Sequence, residues 1–302
     1  MTNTGRPAAP PMTNPRADRV KEVARLAGRP ARLRQGRFLA EGPQSVREAL
    51  TLHAARRAAG APAVIEELFI TEECLERHAE LGLFEGQPTP RLVTEEVLAE
   101  MSSTVTPQGV IAVCAFVDVT LDAVLAGEPR LVAVMVEVRD PGNAGTILRA
   151  ADSAGADAVV LTSSSVDLYN PKAVRSTVGS LFHLPVVLGA DLDLVLSSLR
   201  DRGITVLAAD GYGDVDLDVL QEGSARRRLA PAAGEGGSAG EAQLEAPTAW
   251  LFGNEAQGLP DVVLKGADHR VAVPIYGRAE SLNVGTAATV CLYASARAQR
   301  LG

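Results

Sequence analysis

Cysteine is scarce. The 302 residues hold three, Cys74, Cys114 and Cys291, and none stands in CxxC spacing. That excludes a disulfide framework and a cysteine-ligated zinc, and it fits a reducing compartment, so a cytoplasmic location is expected. The four histidines, His53, His78, His183 and His269, share no metal-ligand spacing, and no metal is expected. Apolar runs such as Leu131–Val136 and Ala158–Leu161 are far shorter than a bilayer span, so no membrane is expected. Met1 to Met12 is polar and proline-rich without an apolar segment, and no secretory signal is expected there. GxGxxG after a strand, GxxxxGK[ST], HExxH and GxSxG are all missing. The usual dinucleotide, nucleoside-triphosphate, zinc-protease and serine-hydrolase readings fall away with them.

What is present is ordinary globular material, 46% hydrophobic and 22% charged, on a chain long enough for two domains. The net charge of −8 is unevenly spread. Residues 1–57 carry 12 Lys and Arg against 4 Asp and Glu, whereas the remainder carries 17 against 33. Eight of the basic residues fall within Arg16–Arg37, opposed only by Asp18 and Glu22. A basic arm on an acidic body fits contact with a polyanion, and equally a solvated cationic helix.

Punctuation and periodicity divide the chain. Residues 1–13 read as a flexible tail. From Arg16 to about Phe116 helices alternate with short strands. Pro43 to Ala59 is predicted helical, with Val46, Leu50 and His53 on one face; Val64–Thr71, Arg91–Val93 and Val110–Phe116 are predicted strands. Residues 118–129 read as a linker. Beyond it, apolar strands at Leu131–Val138, Ala158–Leu161, Val186–Leu188, Ile204–Ala209, Trp250–Gly253 and Val271–Pro274 alternate with helices. The last of these helices is Ser281–Gln299. Near-continuous apolar strands between helices imply a parallel sheet covered on both faces. Gly223–Pro247, rich in Gly, Ala and Glu, breaks the rhythm and reads as a disordered insertion.

Three polar segments follow predicted strands, where open α/β sheets bind ligands. The first is Asp140-Pro141-Gly142-Asn143-Ala144-Gly145-Thr146-Ile147-Leu148-Arg149, in which Asn143 is positioned to cap the helix carrying Arg149. The second is Leu251-Phe252-Gly253-Asn254-Glu255-Ala256-Gln257-Gly258-Leu259-Pro260, where Gly253 allows a ligand close to the backbone. The third runs Val273-Pro274-Ile275-Tyr276-Gly277-Arg278-Ala279-Glu280-Ser281-Leu282-Asn283-Val284, with Ser281 or Asn283 opening the last helix. Taken singly, each is also what a well-capped strand–turn–helix junction looks like.

In this order, the three resemble the signature motifs of the SPOUT superfamily in its TrmH/SpoU branch of RNA 2′-O-ribose methyltransferases. Asp167-Leu168-Tyr169-Asn170-Pro171-Lys172-Ala173-Val174-Arg175-Ser176 resembles that branch's substrate-facing segment. The basic part from Asn14 through Gly42 resembles the L30e-like substrate-binding domain of ribosomal RNA members. The resemblance implies an α/β fold: a methyltransferase domain over 130–302 with a mostly parallel sheet and a deep trefoil knot, and a smaller L30e-like α/β domain over 14–117. It implies S-adenosylmethionine as cofactor, held at Gly253, Val273 and Leu282 with Leu251, Ile275 and Ala208 beside them. It also implies a homodimer through the knot. One departure is visible: Gly285-Thr286 stands where the family usually has a serine, which is expected to loosen the helix start slightly.

The resemblance assigns catalysis to Asn143, Arg149, Glu255, Ser281 and Asn283, with Arg149 as general base. Because free guanidinium is essentially always protonated, a weaker role is expected: Arg149 stabilises charge at the 2′-hydroxyl or an adjacent phosphate. Glu255 is expected to orient the loop or pair with Arg149. Structured RNA, of the 23S ribosomal type, is the expected partner, met by Arg16, Arg32, Arg34, Arg37, Lys172 and Arg175. Transfer RNA methylation is one alternative, and a non-catalytic RNA-binding protein that kept the fold is another.

Overall fold

The computed structural model describes residues 10–229 and 242–301. Up to Val117 the chain forms α1 (Asp18–Ala24), α2 (Arg29–Gln35), β1 (Arg37–Glu41), α3 (Pro43–Ala58), β2 (Ile65–Ile70), α4 (Glu72–Arg77), β3 (Arg91–Leu92), α5 (Glu95–Met101) and β4 (Val110–Ala115). There follow α6 (Leu121–Ala126), β5 (Leu131–Met135), α7 (Pro141–Ala154), β6 (Ala158–Thr162), α8 (Pro171–Thr177), β7 (Val186–Ala190), α9 (Leu192–Asp201), β8 (Thr205–Ala209), β9 (Val215–Asp216) and α10 (Leu217–Leu229). The chain closes with β10 (Thr248–Phe252), α11 (Asp261–Gly266), β11 (His269–Ala272) and α12 (Val284–Arg300). They sort into two compact units, one of residues 10–117 with Tyr169–His183, the other of 118–168 with 184–301.

The first unit is built on a four-stranded sheet ordered β1-β4-β2-β3. In α3, Pro43 occupies the first turn, where its missing N–H costs nothing, and Val46, Ala49, Leu50 and His53 turn inward. The buried His53 ring is useful there: Nδ1 accepts the Ile65 N–H at 3.0 Å and Nε2 faces the Gly86 carbonyl at 3.1 Å. Val20, Val23 and Leu26 pack with Val97, Leu98 and Met101 into one core. Met12, expected in a free tail, is pinned to β3: its N–H donates to Leu92 O at 2.8 Å and its carbonyl accepts from Thr94 at 3.1 Å. The rest of that expected tail, residues 1–9, lies outside the described residues.

Tyr169–His183 was expected in the second domain, yet it packs with the first unit. Aromatic burial is the reason. The Tyr169 ring stacks on Phe116 with centroids 4.2 Å apart and lies 4.6 Å from Phe38, and its hydroxyl accepts the Val117 N–H at 2.7 Å.

The second unit carries a fully parallel seven-stranded sheet ordered β7-β6-β5-β10-β8-β11-β9. Strands β5, β6 and β10 are buried along their whole length, as strands covered on both faces must be. Trp250 is fully buried on β10, and its indole N–H donates to Ser295 Oγ of α12 at 2.9 Å. The expected linker contains α6, capped by Thr120 and buried through Val124 and Leu125. The expected insertion is also partly ordered. Gly223–Leu229 continues α10, whose Leu217, Leu220 and Ser224 face inward, and Ala242 and Leu244 are buried. Arg227 ties the two sides together, meeting both Glu245 oxygens at 2.5 and 3.2 Å. The middle of that stretch, 230–241, lies outside the described residues.

Candidate active site

Parallel register brings four strand ends to one edge of the second unit's sheet. Leu251 on β10 lies opposite Val134 of β5 and Ala208 of β8, and Ala208 lies opposite Arg270 of β11. The three polar segments therefore emerge side by side, although more than a hundred residues separate the first from the second. Asp140, not Asn143, caps α7, accepting the Asn143 N–H at 2.9 Å. That frees the Asn143 side chain. Its amide nitrogen donates to Glu255 Oε1 at 3.0 Å, while its oxygen accepts from Asn283 Nδ2 at 3.0 Å. One residue from each segment thus meets at Asn143. A carboxylate can only accept, so Glu255 fixes which way the Asn143 amide points. Asn283 in turn caps α12, its oxygen accepting the Gly285 N–H at 2.9 Å. Asn254 ties the second segment to the turn that leads from β5 into the first, donating to Glu137 O at 3.1 Å.

Arg149 and Ser281 stand apart from this cluster. Both are exposed, and neither side chain makes a hydrogen bond or ion pair with any described residue. Arg149 shares the outward face of α7 with Thr146, whereas Ile147 and Ala150 turn inward. Glu255 meets Asn143 rather than Arg149, so the expected ion pair between Glu255 and Arg149 does not form.

Among the residues expected at the cofactor, Leu251 and Ala208 are fully buried and pack in the core, leaving only their backbone to reach the edge. Val273 is half-buried, and Ile275 and Leu282 are partly exposed on the loop between β11 and α12. Gly253 closes a tight loop upon itself. A Cβ there would stand 2.4 Å from the Gly258 carbonyl carbon and 2.5 Å from Leu259 N, so its first role is to let Asn254 and Gly258 exchange backbone hydrogen bonds. From Pro274 to Leu282 no backbone N–H or carbonyl bonds to a described residue. A polar ligand that is recognised through backbone groups, with apolar Ile275 and Leu282 alongside, fits that loop.

Two features of this edge were missed in the sequence because each joins side chains far apart along the chain, 60 and 58 positions. Arg270 forks Asp210 at 3.0 and 2.8 Å and reaches the Tyr212 carbonyl at 3.0 Å, and the hydrogen bond to Asp210 raises its pKa. The Tyr276 hydroxyl donates to the Asp218 carboxylate, which pushes the phenol above its ordinary value.

In the first unit the expected RNA contacts divide. Arg16 and Arg34 are exposed, without a side-chain hydrogen bond or ion pair to any described residue. Arg32 is the correction. It is 2% exposed, and its guanidinium donates to the Leu26 and Ala27 carbonyls at 2.9 and 2.6 Å, so it holds a turn together and is unavailable to phosphate. Arg37 pairs with Glu66 at 2.6 Å. Lys172 is exposed on α8. Arg175, on the same helix, is drawn inward to Glu41 at 3.2 Å and Ser103 Oγ at 2.6 Å.

Residues 130–293 match the SpoU rRNA Methylase family, and residues 17–112 match the MRM3-like substrate binding domain. The 23S rRNA (guanosine(2553)-2′-O)-methyltransferase RlmP of Bacillus subtilis is 32% identical over 276 residues, covering 91% of this chain and 94% of that protein. The SpoU methyltransferase AviRb of Streptomyces viridochromogenes, solved with AdoMet, superimposes with a TM-score of 0.75 at 28% identity, over 95% of this chain and 99% of that one. An AdoMet-bound rRNA methyltransferase from Sinorhizobium meliloti gives a TM-score of 0.74 at 27% identity, over 95% and 97%.

Proposed function

Because this chain belongs to the SpoU rRNA methylase family, we propose that it methylates a ribose 2′-hydroxyl of ribosomal RNA, of the 23S type, using S-adenosylmethionine. The observation that carries the reading is the meeting of all three segments at Asn143. When bound, S-adenosylmethionine supplies an activated methyl group. Gly253, Val273 and Leu282, with Leu251, Ile275 and Ala208 beside them, hold it at the sheet edge, largely through backbone.

The chemistry left to the chain is positioning and the removal of one proton. Asn143, fixed by Glu255 and Asn283, orients the loops that frame the reacting ribose. The exposed Arg149 stabilises negative charge developing on the 2′-oxygen, and the proton leaves to phosphate or water. Ser281, whose hydroxyl meets no described residue, is free to hydrogen-bond the ribose. Arg16, Arg34 and Lys172 supply phosphate contacts that position the RNA without reading its sequence.

Three further properties belong to the same reading. The protein works in the cytoplasm. Its sheet, with β10 seated between β5 and β8, is part of a deep trefoil knot. Two copies pair through that knot, a role supported by the outward stripe of α12 that includes Val290 and Tyr293.

The test is to map 2′-O-methyl positions in ribosomal RNA from cells with and without the protein, and to restore the missing mark with purified protein and S-adenosylmethionine. A single position that disappears and returns is expected. Identical maps, with no cofactor-dependent methylation in vitro, would overturn the reading.

A further inference from the structure

The loop between β11 and α12 is long and thinly anchored. Between Pro274 and Leu282 only one hydrogen bond reaches a described residue, and it is made by a side chain. The Tyr276 ring is 84% exposed, so burial does not hold it in place. Its hydroxyl instead donates to the carboxylate of Asp218, in the first turn of α10. Asp218 is itself fixed at the backbone, where its N–H donates to Asp216 Oδ1 at 2.7 Å. Asp216 belongs to β9, which pairs with β11 in parallel register, Val271 opposite Val215 and Ala272 opposite Asp216. The tether therefore closes a short circuit: β11 leads into the loop, the loop reaches Asp218, and Asp218 returns through β9 to β11.

We propose that the Tyr276–Asp218 hydrogen bond sets the conformation of the loop from Pro274 to Leu282, which makes both of them positioning residues for cofactor affinity. The inference rests on the reading above for the identity of the cofactor, and on geometry alone for the tether. Neither residue lies in the cluster around Asn143, so the pair acts on the loop and not on the reacting atoms. A hydrogen bond to a charged acceptor is among the stronger kinds, and its exposure to water brings the effect down to a modest range.

Tyr276→Phe removes only the hydroxyl and keeps the ring. Tryptic cleavage after Arg278, inside the loop, should be faster in this variant under native conditions, with the melting temperature unchanged. The S-adenosylmethionine dissociation constant by calorimetry should rise roughly three- to tenfold, while kcat at saturating cofactor stays within about twofold. Asp218→Ala should match it, and the double variant should be no worse than either single one, as for two ends of one bond. An unchanged cleavage rate at Arg278 in Tyr276→Phe would overturn the proposal whether or not the cofactor binds. A cleavage difference between wild type and Tyr276→Phe, with no S-adenosylmethionine bound by wild type, would leave the tether standing and overturn its assignment to cofactor affinity together with the proposed function. Wild-type binding that Tyr276→Phe leaves intact would reject the affinity role alone.

Discussion

Arg149 and Asn143 sit six residues apart on one helix, and the structure treats them differently. Asn143 is held on both sides of its amide, whereas the Arg149 side chain is bound to no described residue and points outward. A solvated arginine on a helix surface can be replaced at almost no cost to folding, commonly within about 0.5 kcal/mol. If its partner is instead the reacting ribose, the loss appears in the rate. Arg149→Ala should leave the melting temperature and S-adenosylmethionine affinity near wild type and lower single-turnover methylation by about 10²-fold or more. Arg149→Lys should recover only part of this, since a point charge lacks the planar fork that can hold ribose and phosphate together. A single-turnover rate within a few-fold of wild type in Arg149→Ala would remove the arginine from the chemistry.

At the scale of elements, the sequence was most legible where burial is periodic. Long apolar strands such as β5 and β10, and α3 with its inward Val46, Leu50 and His53, announce themselves because the same forces act along their full length. Short elements held by tertiary contacts do not. The extension of α10 through Gly223 is one case, because the Arg227–Glu245 pair that secures it joins positions 18 apart. Burial alone would raise the Glu245 pKa, but hydrogen bonds from Arg227, the backbone and Ser224, with the Arg227 charge, together outweigh it and hold it below the usual 4.5. A carboxylate with a lowered folded-state pKa lends stability above its unfolded value and loses it as pH falls. Thermal melts of Glu245→Gln should accordingly show a smaller decline than wild type as pH drops below about 4.5. Gly285 makes the same point for packing. Its lack of a side chain was expected to loosen α12, yet a Cβ there would lie 2.6 Å from the Thr146 methyl of α7. The glycine lets the two helices close on each other. Gly285→Ser, which restores the usual family residue, should therefore destabilise this protein by about 1–3 kcal/mol in chemical denaturation.

For the whole molecule the question is what the uneven charge does. Counting residues places eight cations between Arg16 and Arg37, but charge that is buried or already paired cannot release counterions from RNA. Arg32 is enclosed against two carbonyls and Arg37 faces Glu66, while Arg19 meets Glu67 and Glu22. Arg16 and Arg34 remain open to solvent and are the arginines of the expected set whose side chains bind no described residue. Each phosphate contact contributes about 0.9 to the slope of log affinity against log salt on a duplex, and about 0.7 on a single strand. Replacing Arg16 and Arg34 with glutamine should thus flatten the slope for ribosomal RNA fragments by roughly 1.4–1.8, with S-adenosylmethionine affinity unchanged. Arg32→Ala should behave in the opposite way. It removes the donor to Leu26 and Ala27 from a buried position, so it should cost about 3 kcal/mol of stability. Any protein that remains folded should keep the wild-type salt slope. Filter binding across a salt series, paired with melts of each variant, separates the two outcomes. An unaltered slope in the Arg16, Arg34 double variant would move the RNA contact away from this arm, and a flattened slope in folded Arg32→Ala would contradict its enclosure.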